Sequence, residues 1–129
     1  MNTRAHELLL LDSISALADR GANRVVVTGS HGGRSAAQFV LDAPVAPRAV
    51  LFNDAGVGKD GAGIVALAML QARAIAAAAY AHDSARIGEA ADGARNGRIS
   101  HVNDAARALG VAPGARVADV IELLAGRGG

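Results

Sequence analysis

At 129 residues, with 13 basic and 12 acidic side chains, a formal charge of +1 and no cysteine, the chain suits one domain and excludes disulfide frameworks, thiolate metal centres and cysteine nucleophiles. Its arginines are scattered and its only aromatics are Phe39, Phe52 and Tyr80, so it lacks the basic stripe and stacking rings that nucleic-acid binders use, and no nucleic-acid partner is expected. Hydrophobic residues reach 51% but aromatic ones only 2%, so the core must be built from Val, Ile, Leu and an excess of Ala, which lets helices lie close to a sheet.

The first seven residues, from Met1, carry an acid, Glu7, ahead of the short Leu8–Leu11 run, and no small-residue cleavage site follows, so no signal peptide is expected. An N-terminal helix is predicted from about Ser13, capped by Asp12 and stopped by Gly21. Three segments then share one grammar of apolar run, polar glycine-containing loop and alanine-rich helix. Residues 24–28 read as a β-branched strand, followed by a loop and a helix over about 35–41. Residues 49–53 read as a second strand, with a longer loop and a helix reaching about Arg73. Residues 75–81 are alanine-rich, which favours helix, but their unbroken apolar character suits a central parallel strand. The residues that follow read either as a site loop or, in the bland alternative, as a short helix through about Gly93 with Asp83 or Ser84 as cap. Ser100 is predicted to cap a helix over 101–109, stopped by Gly110. After the Ala112-Pro113-Gly114 turn, Val117, Val120, Ile121 and Leu124 fall on one face of a last helix, and 126–129 are expected to fray. The longest apolar stretch, 64–80, is broken by Gln71 and Arg73 and is too short to cross a bilayer, so no membrane partner is expected and the cytoplasm is the expected compartment.

Alternating strands and helices predict one α/β domain over 1–129: a small three-layer open sheet, Rossmann-like, with three or four mainly parallel strands and helices on both faces. The loops at 29–35, 53–63 and 82–88 would then leave the carboxyl ends of the strands on one edge, with a ligand at the topological switch point. So small a sheet leaves an exposed edge, and a homo-oligomer is expected.

In the first loop, Gly29, Ser30, His31, Gly32 and Gly33 allow backbone N–H groups to turn toward an anion at a helix N-terminus. The segment resembles the His-Gly-Gly stretch that supplies oxyanion-hole amides in lipases and esterases of the α/β-hydrolase fold. The resemblance covers a handful of residues. No Gly-x-Ser-x-Gly is present, since Thr28 stands where the first glycine before Ser30 belongs, and the chain is too short for that fold, so an anion-binding turn is implied rather than a lipase. The bland alternative is a tight turn with Ser30 or Ser35 as cap and His31 exposed.

The second loop carries Gly56-x-Gly58-x-x-Gly61 between a strand and a helix, with Asp83 about twenty residues on, and this resembles the dinucleotide fingerprint. It departs from that pattern in its length and in Lys59-Asp60, and Asp60 and Asn53 stand where a P-loop would need Ser or Thr and the first Gly, which excludes nucleoside triphosphate hydrolysis. Asn53, Asp54, Lys59 and Asp60 at one strand end suit a positioned ammonium and a carboxylate that orients a neighbour, while Asp60 alone would be a helix cap.

The third loop sets His82 beside Asp83, Ser84 and Arg86, the last able to clamp a carboxylate or to make a surface ion pair. His6 is read as surface and His101 as capping or packing, with lining the site as the alternative. No His-x-x-x-His or carboxylate array suggests a metal, with convergence of His31, His82 and Asp54 in space as the alternative, and no cofactor is expected. These residues predict an enzyme for a small anionic molecule, hydrolytic or other acyl-group chemistry included. Ser30 or Ser84 would be the nucleophile, His31 or His82 the base, Asp54 or Asp83 the orienter, and Lys59 and Arg86 the charge stabilisers. The alternatives are a noncatalytic nucleotide- or carboxylate-binding module and a structural oligomeric subunit.

Overall fold

The computed structural model describes residues 7–126, so His6 and the expected frayed end at 127–129 lie outside the described residues. Five strands form one sheet: β1 (Leu8–Leu11), β2 (Val25–His31), β3 (Ala49–Asn53), β4 (Ala76–Tyr80) and β5 (Ile99–Val102). They lie side by side in chain order, β1 to β4 parallel and β5 antiparallel to β4. The helices are α1 (Arg34–Asp42), α2 (Val65–Gln71), α3 (Ala90–Asn96), α4 (Asp104–Ala108) and α5 (Val117–Gly126).

Period-two alternation sorts the core into two layers. Leu9, Val26, Val50, Phe52, Ala77 and Ala79 face α1 and α2, whereas Val25, Val27, Leu51, Ala78 and Tyr80 face the side of α3, α4 and α5. Every residue of β3 and β4 is buried, as strands covered on both faces require. The architecture is thus a small three-layer, Rossmann-like α/β fold. The alanines of β4 leave room for α2 and α4, and the one large side chain on that strand, Tyr80, donates its hydroxyl to Thr28 O at 2.7 Å. Burial pushes the Tyr80 phenol well above its ordinary pKa, so it stays a neutral donor.

Several expectations are corrected. The sheet has five strands rather than three or four, because Leu8–Leu11 pairs with β2. In place of an N-terminal helix stands a single 3-10 turn, Ile14–Ala16, with Ser13 as its cap; Asp12 instead accepts a hydrogen bond from Ala90 N at 2.9 Å, at the start of α3. That helix begins at Ala90 after Glu89, so neither Asp83 nor Ser84 caps it. The predicted helix over 101–109 is split: Ile99–Val102 is strand, and Asn103 caps the short α4 by accepting from Ala106 N. Asp60 does not cap α2, since it lies in a 3-10 turn at 59–61 and the N-cap of that helix, which begins at Val65, is Ile64. Strands in unbroken chain order also have no reversal, so no topological switch point forms. No helix among the described residues is long and apolar enough to cross a membrane.

Candidate functional site

The carboxyl edge is organised by the two polar residues at the end of β3. Asn53 is fully buried; its side-chain oxygen accepts from Ala55 N at 2.8 Å and its amide donates to Ala85 O at 3.1 Å, which joins the second and third loops. Asp54 is 4% exposed. Its Oδ1 accepts from Gly56 N at 2.8 Å and His82 N at 2.9 Å, and its Oδ2 accepts from the Ser100 hydroxyl at 2.7 Å. The imidazole Nδ1 of His82 stands 3.4 Å from Oδ1, long for a hydrogen bond but close for an ion pair. Burial opposes ionisation of Asp54, but the bonds from Ser100, Gly56 N and His82 N, with the nearby His82, outweigh it and hold its pKa below the usual carboxylate value.

The chain leaving Asp54 winds through left-handed backbone at Ala55 (φ 52°), Gly56 (75°), Val57 (68°), Gly58 (75°), Asp60 (56°) and Gly61 (72°). Val57 is an outlier for a β-branched residue, a conformation that costs on the order of 1–3 kcal/mol. It persists because Val57 N donates to Asp54 O at 2.7 Å and Val57 O accepts from Gly63 N at 2.6 Å. Gly63 has no space for a Cβ, which would stand inside contact distance of Asp54 O and Val57 O. Lys59 and Asp60 project from this loop, both exposed.

The first loop is fastened to the second, Gly32 N donating to Asn53 O at 3.2 Å and Ala66 N to Gly32 O at 2.9 Å. His31 is exposed, its ring lying over Gly33, where a Cβ would meet Nε2 at 2.6 Å. Gly33 is the N-cap of α1 and makes no side-chain cap bond, and neither Ser30 nor Ser35 replaces it. Ser30 Oγ accepts from Ile14 N at 3.0 Å, and Gly29 lies flat against Gly88 and Glu89, with Gly88 N donating to Gly29 O at 2.7 Å. The three loops therefore adjoin through direct bonds.

In the third loop the His82 ring, its side chain 57% exposed, covers Gly56. Asp83 is exposed and takes no part in the Asp54 cluster. Ser84 is engaged by backbone, donating to Ala81 O at 2.6 Å and accepting from Arg98 N at 3.0 Å. Arg86 points away to α3, where its N donates to Asp92 at 2.7 Å and its guanidinium lies 3.8 Å from Glu89. Of the expected catalytic residues, Asp54 and His82 are brought together; the Ser30 and Ser84 hydroxyls are hydrogen-bonded to backbone rather than to a histidine.

Sequence reasoning missed Ser100. The β4–β5 register pairs Tyr80 with Ile99 and Ala79 with His101, leaving Ser100 as an extra residue in a bulge. Its hydroxyl oxygen lies 2.7 Å from Asp54 Oδ2 and 3.0 Å from His101 Nδ1. The available signal was the β-branched residues flanking Ser100-His101 and the better cap, Asn103, just after them. No group of three or more His, Asp or Glu side chains among the described residues is placed to hold a metal ion. Open concavities of about 360 and 340 Å³ lie elsewhere, the first beside Arg86 and Arg95, the second at the opposite edge beside Arg24 and Arg48. The chain matches no protein-family model, no curated protein and no solved structure.

Proposed function

We propose that the protein is an enzyme that converts a small anionic molecule by proton transfer at His82, with Asp54 as the orienting carboxylate. The observation that carries this reading is the buried, ionised Asp54 facing the ring of an exposed histidine at 3.4 Å, on the edge where the glycine loops adjoin. A carboxylate at Nδ1 favours the proton there, leaves the outward Nε2 free to take a proton, and stabilises the imidazolium that results. Lys59, exposed on the adjacent loop, supplies a positive charge for the substrate, and the uncapped first turn of α1 beyond Gly33 supplies N–H groups beside His31. Hydrolysis by a water that His82 activates fits this arrangement better than acylation of a serine, since the Ser30 and Ser84 hydroxyls are held by backbone partners.

Incubating purified protein with a metabolite extract and reading consumption by mass spectrometry tests the reading. Wild type should deplete a compound, and His82→Gln should lose on the order of 100-fold in that rate. Retention of a ligand without turnover, unchanged by His82→Gln, would contradict it and favour a binding module.

A further inference from the structure

Asp54 reaches His82 with one oxygen and Ser100 with the other, and Ser100 reaches His101. The Ser100 hydroxyl has one proton and two oxygen acceptors, Asp54 Oδ2 at 2.7 Å and Ala79 O at 3.3 Å, besides the His101 Nδ1 at 3.0 Å. The shortest of these is a bond to a carboxylate, which charge makes the strongest. With the hydroxyl proton directed at Asp54, the serine oxygen offers only lone pairs to His101, so Nδ1 of that ring must carry a hydrogen. The hydrogen bond made by one ring nitrogen fixes the state of the other, and Nε2 of His101 is left as an unprotonated base.

The bulge is independent evidence that this chain of groups is built. In a regular strand, adjacent side chains point to opposite faces, and Ser100 and His101 could not meet. The extra residue in β5 sets them side by side, with His101 opposite Ala79 on the face covered by α1 and α2.

We propose that His101 is a second acid–base residue of the carboxyl-edge site, its Nδ1 kept protonated through Ser100 by Asp54, so that one carboxylate orients two imidazoles. The inference rests on the reading of this edge as an active site. It narrows the chemistry to conversions in which one proton leaves the substrate and another arrives. A bond from hydrogen to a substrate or water atom breaks, the proton goes to one imidazole, and the electron pair stays behind. The other imidazole, having first taken a proton from solvent at its own Nε2, delivers it to a different atom, so no oxidant or reductant is needed. Ser100 is a positioning residue in this scheme.

Long-range ¹H–¹⁵N correlation spectra of labelled protein test the proposal without a substrate. Neutral His101 should be the Nδ1–H tautomer in wild type and in Ser100→Thr, and should move toward the Nε2–H form favoured by free imidazole in Ser100→Ala, with His82 unchanged. The amide spectrum of each variant reports whether it is folded. A wild-type Nε2–H tautomer, or the same tautomer in a folded Ser100→Ala, overturns the proposal. Against a metabolite that wild type consumes, His101→Gln should lower turnover about 100-fold. Full turnover in His101→Gln with loss in His82→Gln overturns this inference alone, whereas no consumption by wild type, with the expected tautomers, overturns the enzyme reading and the acid–base role with it.

Discussion

The two edges of the sheet carry polar groups in opposite ways. At the amino edge, Glu7, Arg24 and Arg48 stand immediately before β1, β2 and β3, and Arg48 donates to Leu124 O at 2.9 Å and lies 3.7 Å from Glu7. Arg48 there fastens α5 to the sheet. At the carboxyl edge the groups are His31, Asp54 and His82 at the ends of β2, β3 and β4, and the hydrogen bonds converge on one buried carboxylate while the histidine rings reach outward. Placing strained backbone and a buried charge around side chains that bury little is a cost to stability that a purely structural edge has no use for.

The comparison can be broken most severely at Gly63. Adding a Cβ there displaces the backbone of Asp54 and Val57, and Gly63→Ala should lower stability by about 3 kcal/mol in denaturant unfolding. A loss near zero would mean that the left-handed loop is not held as described. Asp54→Asn comes next, at about 2 kcal/mol, because a carboxylate accepting from Ser100, Gly56 and His82 becomes a neutral amide. Since the folded-state pKa of Asp54 is lowered, its contribution is present above the unfolded value and is lost as pH falls through the folded one. Wild-type stability should therefore drop below about pH 4 more steeply than that of Asp54→Asn, as paired acid titrations of thermal unfolding would reveal. Equal slopes would remove the argument for an ionised Asp54.

Smaller effects sharpen the contrast. Arg48→Ala should cost about 1 kcal/mol in thermal unfolding and leave turnover intact, because its bond to Leu124 O is part-buried and far from the histidines. Lys59→Ala should change stability by less than about 0.5 kcal/mol, its side chain being exposed, yet weaken substrate binding measured by calorimetry. Lost turnover in Arg48→Ala, or unaltered binding in Lys59→Ala, would reverse the roles given to the two edges.

The strand, loop and helix grammar made β2, β3 and β4 legible, because unbroken apolar runs end at polar loop residues in each case, Thr28-Gly29, Asn53-Asp54 and His82-Asp83. What escaped was set by tertiary partners. Leu8–Leu11 is too short to announce itself and becomes a strand by pairing with β2. Ile99–Val102 was hidden by Ser100, a good helix cap by residue type, whose hydroxyl is used instead on Asp54. Asp54 and His82 were recognisable as candidates from their place after strands, but their choice over Asp83 and Ser84 depended on which side chains the sheet register brings together, and a single sequence does not encode that in any local pattern.

The central claim, that small anions are handled at the carboxyl edge, is tested most directly by mapping amide chemical-shift changes as a mixture of small carboxylates and phosphates is titrated into labelled protein. The account predicts changes confined to Gly33, Gly56, Lys59, His82 and His101 and their chain neighbours. Changes gathered instead around Asn23, Arg24 and Arg48, with the histidine loops unmoved, would contradict it.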